Sequence, residues 1–166
     1  MPRMQILSSV ERDAFEAPPV FTSVQRKHHL DFSRPVQELA ATLRTPTNQL
    51  AFLLGWGYFT ATKRFFPVST FRPPDIAYVA THLGLTPETF DLSSYDKQTV
   101  ARHRELILHG TGFRAFDLGA ETFLEREIRG MVRAQLKPRP IFWRCVDLLV
   151  REKVEVPTYF RLADLI

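Results

Sequence analysis

The chain has 166 residues, enough for one ordinary domain or two small ones, and 45% of them are hydrophobic, which excludes wholesale disorder. Lys and Arg outnumber Asp and Glu by 22 to 18, giving a net charge of +4 and a pI of 9.5, compatible with a polyanionic partner but not requiring one. The single cysteine, Cys145, excludes a disulfide framework and points to a reducing compartment, and no apolar run reaches the roughly 20 residues of a bilayer span.

The pattern is helical almost throughout. Ser8-Ser9-Val10-Glu11 has the spacing of a capping box, and the helix it opens must stop at Pro18-Pro19. A second helix is expected from Phe21 to Leu30. Ser33 is the expected cap of a third, with Pro35 in its first turn and Val36, Leu39, Ala40 and Leu43 on one face. Thr45 or Thr47 opens a fourth, carrying Leu50, Phe52, Leu53, Leu54, Trp56, Tyr58 and Phe59. It is apolar nearly all round, so it belongs at the centre of its unit. Gly55 and Gly57 weaken it as a helix, and their expected value is close approach of a neighbouring helix.

The stretch Phe65–Pro74, with Pro67, Pro73 and Pro74, is the expected domain boundary. A fifth helix follows from Asp75 to Leu83 and ends at Gly84. Thr86-Pro87-Glu88 signals a short sixth, and Ser94 or Tyr95 opens a seventh that runs to His109. Asp117 to Leu136 reads as a long amphipathic eighth, Ile141 to Lys153 as a ninth, and Pro157 to Ile166 as a last short one. No alternating strand pattern stands out.

Charge is segregated along the chain. No acid lies between Glu38 and Asp75, or between Glu127 and Asp147, although both intervals contain Arg and Lys. The seventh helix gathers Lys97, Gln98, Thr99, Arg102 and Arg104 near its start. On a helical wheel Val100, His103, Ile107 and Thr99 form a packing side, while Gln98, Arg102, Glu105 and His109 face the other way. Gln and Arg are the side chains that meet adenine and guanine edges bidentately in a major groove, and Tyr95, Lys97, Thr99 and Arg104 are placed to hold phosphates beside them. A solvated helix face with an ordinary cap accounts for the same residues. The fourth helix offers a similar set: Thr47, Asn48 and Gln49 at its start for a groove, and Lys63 and Arg64 at its end for phosphates, against plain helix capping by Thr45 or Thr47. Arg129, Arg133 and Lys137 form a stripe about one turn apart, diluted by Glu121, Glu125 and Glu127 upstream.

Signatures of catalysis are missing. There is no Gly-rich phosphate loop and no GxSxG, and Cys145 sits in an apolar run without an activating neighbour. His28 and His29 diverge by about 100° on a helix, and no other spacing suits a metal, so neither metal nor cofactor is expected.

Several stretches in order carry a family likeness: Met1-Pro2-Arg3, Asn48-Gln49-Leu50-Ala51-Phe52, Tyr78-Val79-Ala80-Thr81-His82-Leu83-Gly84-Leu85, Tyr95, Arg102-His103-Arg104-Glu105, Gly112-Phe113-Arg114-Ala115-Phe116 and the closing Pro157–Ile166. In their succession and spacing the chain resembles the N-terminal region of the large replicative transposases of the Tn three family. It departs from that pattern at Thr60–Pro67, where the family has a basic, glycine-containing turn. The resemblance implies a helical region that recognises the terminal inverted repeats of a transposon, with the catalytic acidic triad in a downstream domain that has no counterpart here. It also implies a bacterial, nucleoid-associated location in the cytoplasm. The chain is then either a piece of a longer transposase, with the rest of that chain as partner, or a stand-alone remnant.

Together these readings give an all-α protein: two small helix-turn-helix-like units, residues 1–72 with the N-terminal helix and residues 73–116, and C-terminal helices over 117–166 packing on them. The expected activity is sequence-specific binding of double-stranded DNA, with no catalysis by these residues and no membrane partner. The rival from another class is a helical protein-interaction module with basic surface stripes.

Overall fold

The computed structural model describes residues 4–86, 91 and 95–166. Among them the chain is all-α: α1 (Ser9–Glu16), α2 (Ser23–Leu30), α3 (Arg34–Ala41), α4 (Pro46–Thr62), α5 (Pro73–His82), α6 (Lys97–Thr111), α7 (Leu118–Arg133), α8 (Pro138–Arg151) and α9 (Tyr159–Ala163), with a single 3-10 turn at Val68–Thr70. No strand occurs among the described residues, and Arg114 and Val154 form an isolated parallel bridge. The short helix expected after Thr86, at Pro87-Glu88, and the start expected at Ser94 lie outside the described residues.

Local chemistry sets the helix ends. Ser8 with Glu11, and Thr22 with Gln25, form reciprocal capping boxes at α1 and α2. Thr45 accepts from the Asn48 amide, and Asp117 from the Ala120 amide, at the starts of α4 and α7. Ser33 precedes α3 but makes no side-chain cap, since Pro35 removes one of the amides such a cap would take. Helix α5 begins two residues earlier than expected, on Pro73-Pro74, which leave no N–H groups to satisfy. It ends with Gly84 at a φ of 69°, a left-handed position that returns the Leu85 amide to the Ala80 carbonyl.

The chain divides into two compact units, Pro18–Thr111 and Met1–Ala17 with Gly112–Ile166. This differs from the division expected at residue 72. Helix α4 packs against α5 and α6 as well as α2 and α3, so the two expected helix-turn-helix units are one. The bond across the expected boundary is Asp75. Its side chain is 1% exposed, and it accepts from Arg26 Nε at 2.8 Å and from the Tyr58 hydroxyl at 2.5 Å. Tyr58 in turn accepts from the Arg72 amide. Of the prolines that suggested a linker, Pro73 and Pro74 serve instead as the first turn of a packed helix.

The core of the unit Pro18–Thr111 is α4. Leu50, Ala51, Phe52, Leu53, Leu54, Tyr58 and Phe59 are buried on every side of it. Gly57 allows α2 to close on it: a Cβ there would overlap Leu30 and stand 3.0 Å from the His29 carbonyl oxygen. Gly55 does the same for Ile107 of α6, at 3.3 Å. The close approaches expected of both glycines are thus present.

In the unit formed by Met1–Ala17 and Gly112–Ile166, Leu124 and Ile128 of α7, Phe142, Cys145 and Leu149 of α8, and Tyr159 and Leu162 of α9 share a core with Ile6 and Leu7. The Tyr159 hydroxyl accepts from the Ile6 and Leu7 amides at 3.2 and 3.4 Å, and Glu16 accepts from the Tyr159 amide. Arg139 closes on Glu11 at 2.5 Å. The helices of residues 117–166 therefore build a core together with the N-terminal segment that carries α1.

Removing a partner from a buried ion pair leaves an uncompensated charge. Asp75→Ala should destabilise the chain by about 3–5 kcal/mol in urea unfolding, because Arg26 and Tyr58 both lose their acceptor. Arg34→Ala, which breaks an exposed pair with Glu38 at 3.1 Å, should cost less than about 1 kcal/mol.

Candidate nucleic-acid interface

Helix α6 has an inside and an outside. Its inner face rests on α4 through His103, which is 2% exposed, and Ile107, also 2% exposed. His103 lies edge-on to Phe52, with ring centroids 5.4 Å apart, and its Nδ1 is 2.8 Å from the Tyr95 hydroxyl. Desolvation pushes the His103 pKa down to about 4, and the Arg102 charge beside it acts in the same direction, so the ring is neutral at physiological pH. Burial raises the Tyr95 pKa, which keeps the hydroxyl protonated. Both groups belong to the packing. The structural role expected for His103 agrees with this placement, whereas the phosphate contact expected of Tyr95 is at odds with a hydroxyl turned to His103.

The outer face carries Gln98, Arg102, Glu105 and His109, all exposed. Lys97 is exposed beside them. Asp96 occupies the helix start: its carboxylate accepts from the Thr99 amide at 2.8 Å, and this bond holds its pKa below the usual range. The Thr99 amide is therefore committed, and a carboxylate sits where a phosphate was expected near Thr99. Arg104 points to another side, with its guanidinium 4.8 Å from the Phe65 ring centroid.

The second expected reader, the start of α4, is turned inward. Thr47 is 5% exposed, and its hydroxyl accepts from the Asp91 amide. Asn48 is half-buried, with Oδ1 enclosed and without a hydrogen-bond partner among the described residues. Gln49 donates to the Leu43 carbonyl at 3.0 Å. At the far end, Lys63 adopts a left-handed φ of 60° and donates to the Thr60 carbonyl. Arg64 is 4% exposed and lies over the Phe66 ring at 5.4 Å. Of a basic pair that reads as surface in the sequence, Arg64 is buried against an aromatic neighbour and Lys63 is half-buried. Thr47, Asn48, Gln49, Lys63 and Arg64 do not form a groove-facing set, so the candidate interface contracts to Lys97, Gln98 and Arg102 of α6.

A grouping that sequence spacing does not reveal lies elsewhere on this unit. Asp31 accepts from the Tyr78 hydroxyl at 2.7 Å, and His82 Nε2 stands 3.7 Å from the same oxygen. Asp31 and His82 edge a cleft of about 500 Å³ whose walls include Leu30, Leu53, Val79 and Leu83. Asp31 and Tyr78 are far apart in sequence, so no local motif could have marked them. The cluster has no nucleophile. Cys145 offers none either: it is fully buried, and burial pushes its thiol up to about 12. Among the described residues no group of His, Cys, Asp and Glu could hold a metal ion, and no helix is long and apolar enough to cross a membrane.

The chain belongs to the family described as Domain of unknown function (DUF4158), whose model matches residues 6–166. No curated protein matches it.

The depressed His103 pKa has a consequence for stability. The unfolded chain, with an ordinary histidine pKa near 6.5, takes up the proton more readily than the folded one does. This contribution is complete above about pH 6.5 and drains as the pH falls toward 4. In urea unfolding, wild type should lose more stability than His103→Gln between pH 7 and 5, and parallel losses would contradict the placement.

Proposed function

We propose that this chain binds double-stranded DNA sequence-specifically through the outer face of α6. The resemblance to the N-terminal region of Tn three-family transposases makes the terminal inverted repeat of a transposon the expected target. On this reading these residues recognise the repeat, and they do not cut it.

One observation carries the reading. Gln98 and Arg102 stand one turn apart on the exposed side of a helix whose opposite side is fixed on α4 by His103 and Ile107. A reader helix needs both properties: side chains that reach base edges, and a back that does not yield. Helix α6 has 15 residues, about 22 Å of length, and a major groove about 12 Å wide admits a helix of this kind. Glu105 and His109 follow on the same side, so contact with base edges falls to the first two turns. Lys97 supplies a nearby cation for the backbone. The net charge of +4 favours the encounter.

The test is selection from a random duplex pool, followed by affinity measurement on the enriched sequence. Arg102→Ala and Gln98→Ala should each weaken binding to that sequence by about 5- to 150-fold, the worth of one bidentate base contact, while changing affinity for an unrelated duplex far less. If the pool yields no enriched sequence, α6 is not a reader and the helical protein-interaction module takes its place.

A further inference from the structure

The turn between α7 and α8 carries positive charge that α6 does not account for. From Ile128 to Val146 there is no acid. Arg139 is committed to Glu11, and Arg126 lies 3.9 Å from Glu127. Arg129, Arg133 and Lys137 are different: each is exposed, and none has a side-chain partner among the described residues. Arg129 and Arg133 are one turn apart at the end of α7, and Lys137 immediately precedes α8. Glu127, two residues before Arg129, and Asp147 in α8 bound the patch in sequence.

A solvated helix end explains part of this. Arg133 lies in the last turn, where a cation complements the helix dipole. It leaves Gly130 unexplained. Glycine weakens a helix interior relative to alanine, so a helical glycine needs a compensating reason. Gly57 has one in Leu30, but at Gly130 nothing lies within 4 Å of where a Cβ would stand. Inside the fold the position has no use for a missing side chain. It is exposed, and it sits between the two unpaired arginines.

We infer that Arg129, Arg133 and Lys137, with Gly130 opening the helix surface among them, form a second DNA contact, one that grips the phosphate backbone of a duplex without reading its bases. Gly130 lets the backbone approach the helix, and the three cations neutralise phosphates beside it. The inference rests on the DNA-binding reading, and it adds a separate surface in a separate unit, with a sequence-independent role.

The experiment uses the whole chain, with affinity measured across a salt series on the enriched duplex and on one of unrelated sequence. The variant Arg129→Ala/Arg133→Ala/Lys137→Ala should weaken both duplexes alike. It should flatten the slope of log affinity against log salt by about 0.9 for each phosphate that is no longer neutralised, and leave the ratio between the duplexes unchanged. Gly130→Ala should raise the thermal midpoint and still weaken both duplexes several-fold. A triple variant with the wild-type slope, or a Gly130→Ala chain that binds as tightly as wild type, overturns the second surface while the reading by α6 stands. A steep wild-type slope that the triple variant loses, with no ratio between duplexes, supports the second surface and overturns the reading by α6. A wild type that binds neither duplex overturns both.

Discussion

Helix α4 has no polar side to turn to water, and the arrangement of the unit Pro18–Thr111 follows from that constraint. A helix buried all round must be covered by neighbours along its whole length, and α2, α3, α5 and α6 supply the cover. Large apolar side chains such as Phe52, Leu54 and Phe59 each gain about 1.5–3 kcal/mol from burial, which is ample to offset the two glycines that let the neighbours come close. The covering helices then have no choice of face. Because His103 and Ile107 go down onto α4, Gln98 and Arg102 must go out. The candidate interface is thus a by-product of core packing, and its orientation is as secure as the packing is.

Polar groups complete what the apolar surface begins. Asp75 is buried, yet it draws together Arg26 of α2, Tyr58 of α4 and its own helix α5. Such a group adds little net stability compared with an apolar replacement, but it penalises every arrangement that leaves the charge alone. Tyr159 has a comparable place in the other unit, where its ring is in the core and its hydroxyl takes the Ile6 and Leu7 amides. It ties Ile6 and Leu7 to a helix some 150 residues further on.

Much of the fold is legible in the sequence because it depends on local signals. The capping box at Ser8, the cap at Thr45, proline at first turns, Gly84 as a stop, and the uniform apolarity of α4 each act over a few residues. The division into units is not legible, since it turns on Asp75 meeting Arg26, a long-range pairing that leaves no trace in spacing. The site is legible by half. A helical wheel separates Gln98 and Arg102 from His103 and Val100 because α6 packs along a single stripe. No wheel could show that Thr47, Asn48 and Gln49 turn inward, because α4 is covered on all sides. Nor could it show that Arg64 is buried over the Phe66 ring, where an aromatic neighbour decides the position of a charge. The resemblance to the transposase region offers the same residues without distinguishing the inward from the outward ones.

The central claim is that Arg102 meets a base edge in a major groove. Guanine N7-methylation interference tests it at the atom concerned, because a bidentate arginine needs both N7 and O6 free. On an enriched duplex, methylation of at least one guanine should block the wild-type chain and have no effect on Arg102→Ala, which no longer reaches that base. Interference patterns identical in the two chains, or no interference in either, would contradict it.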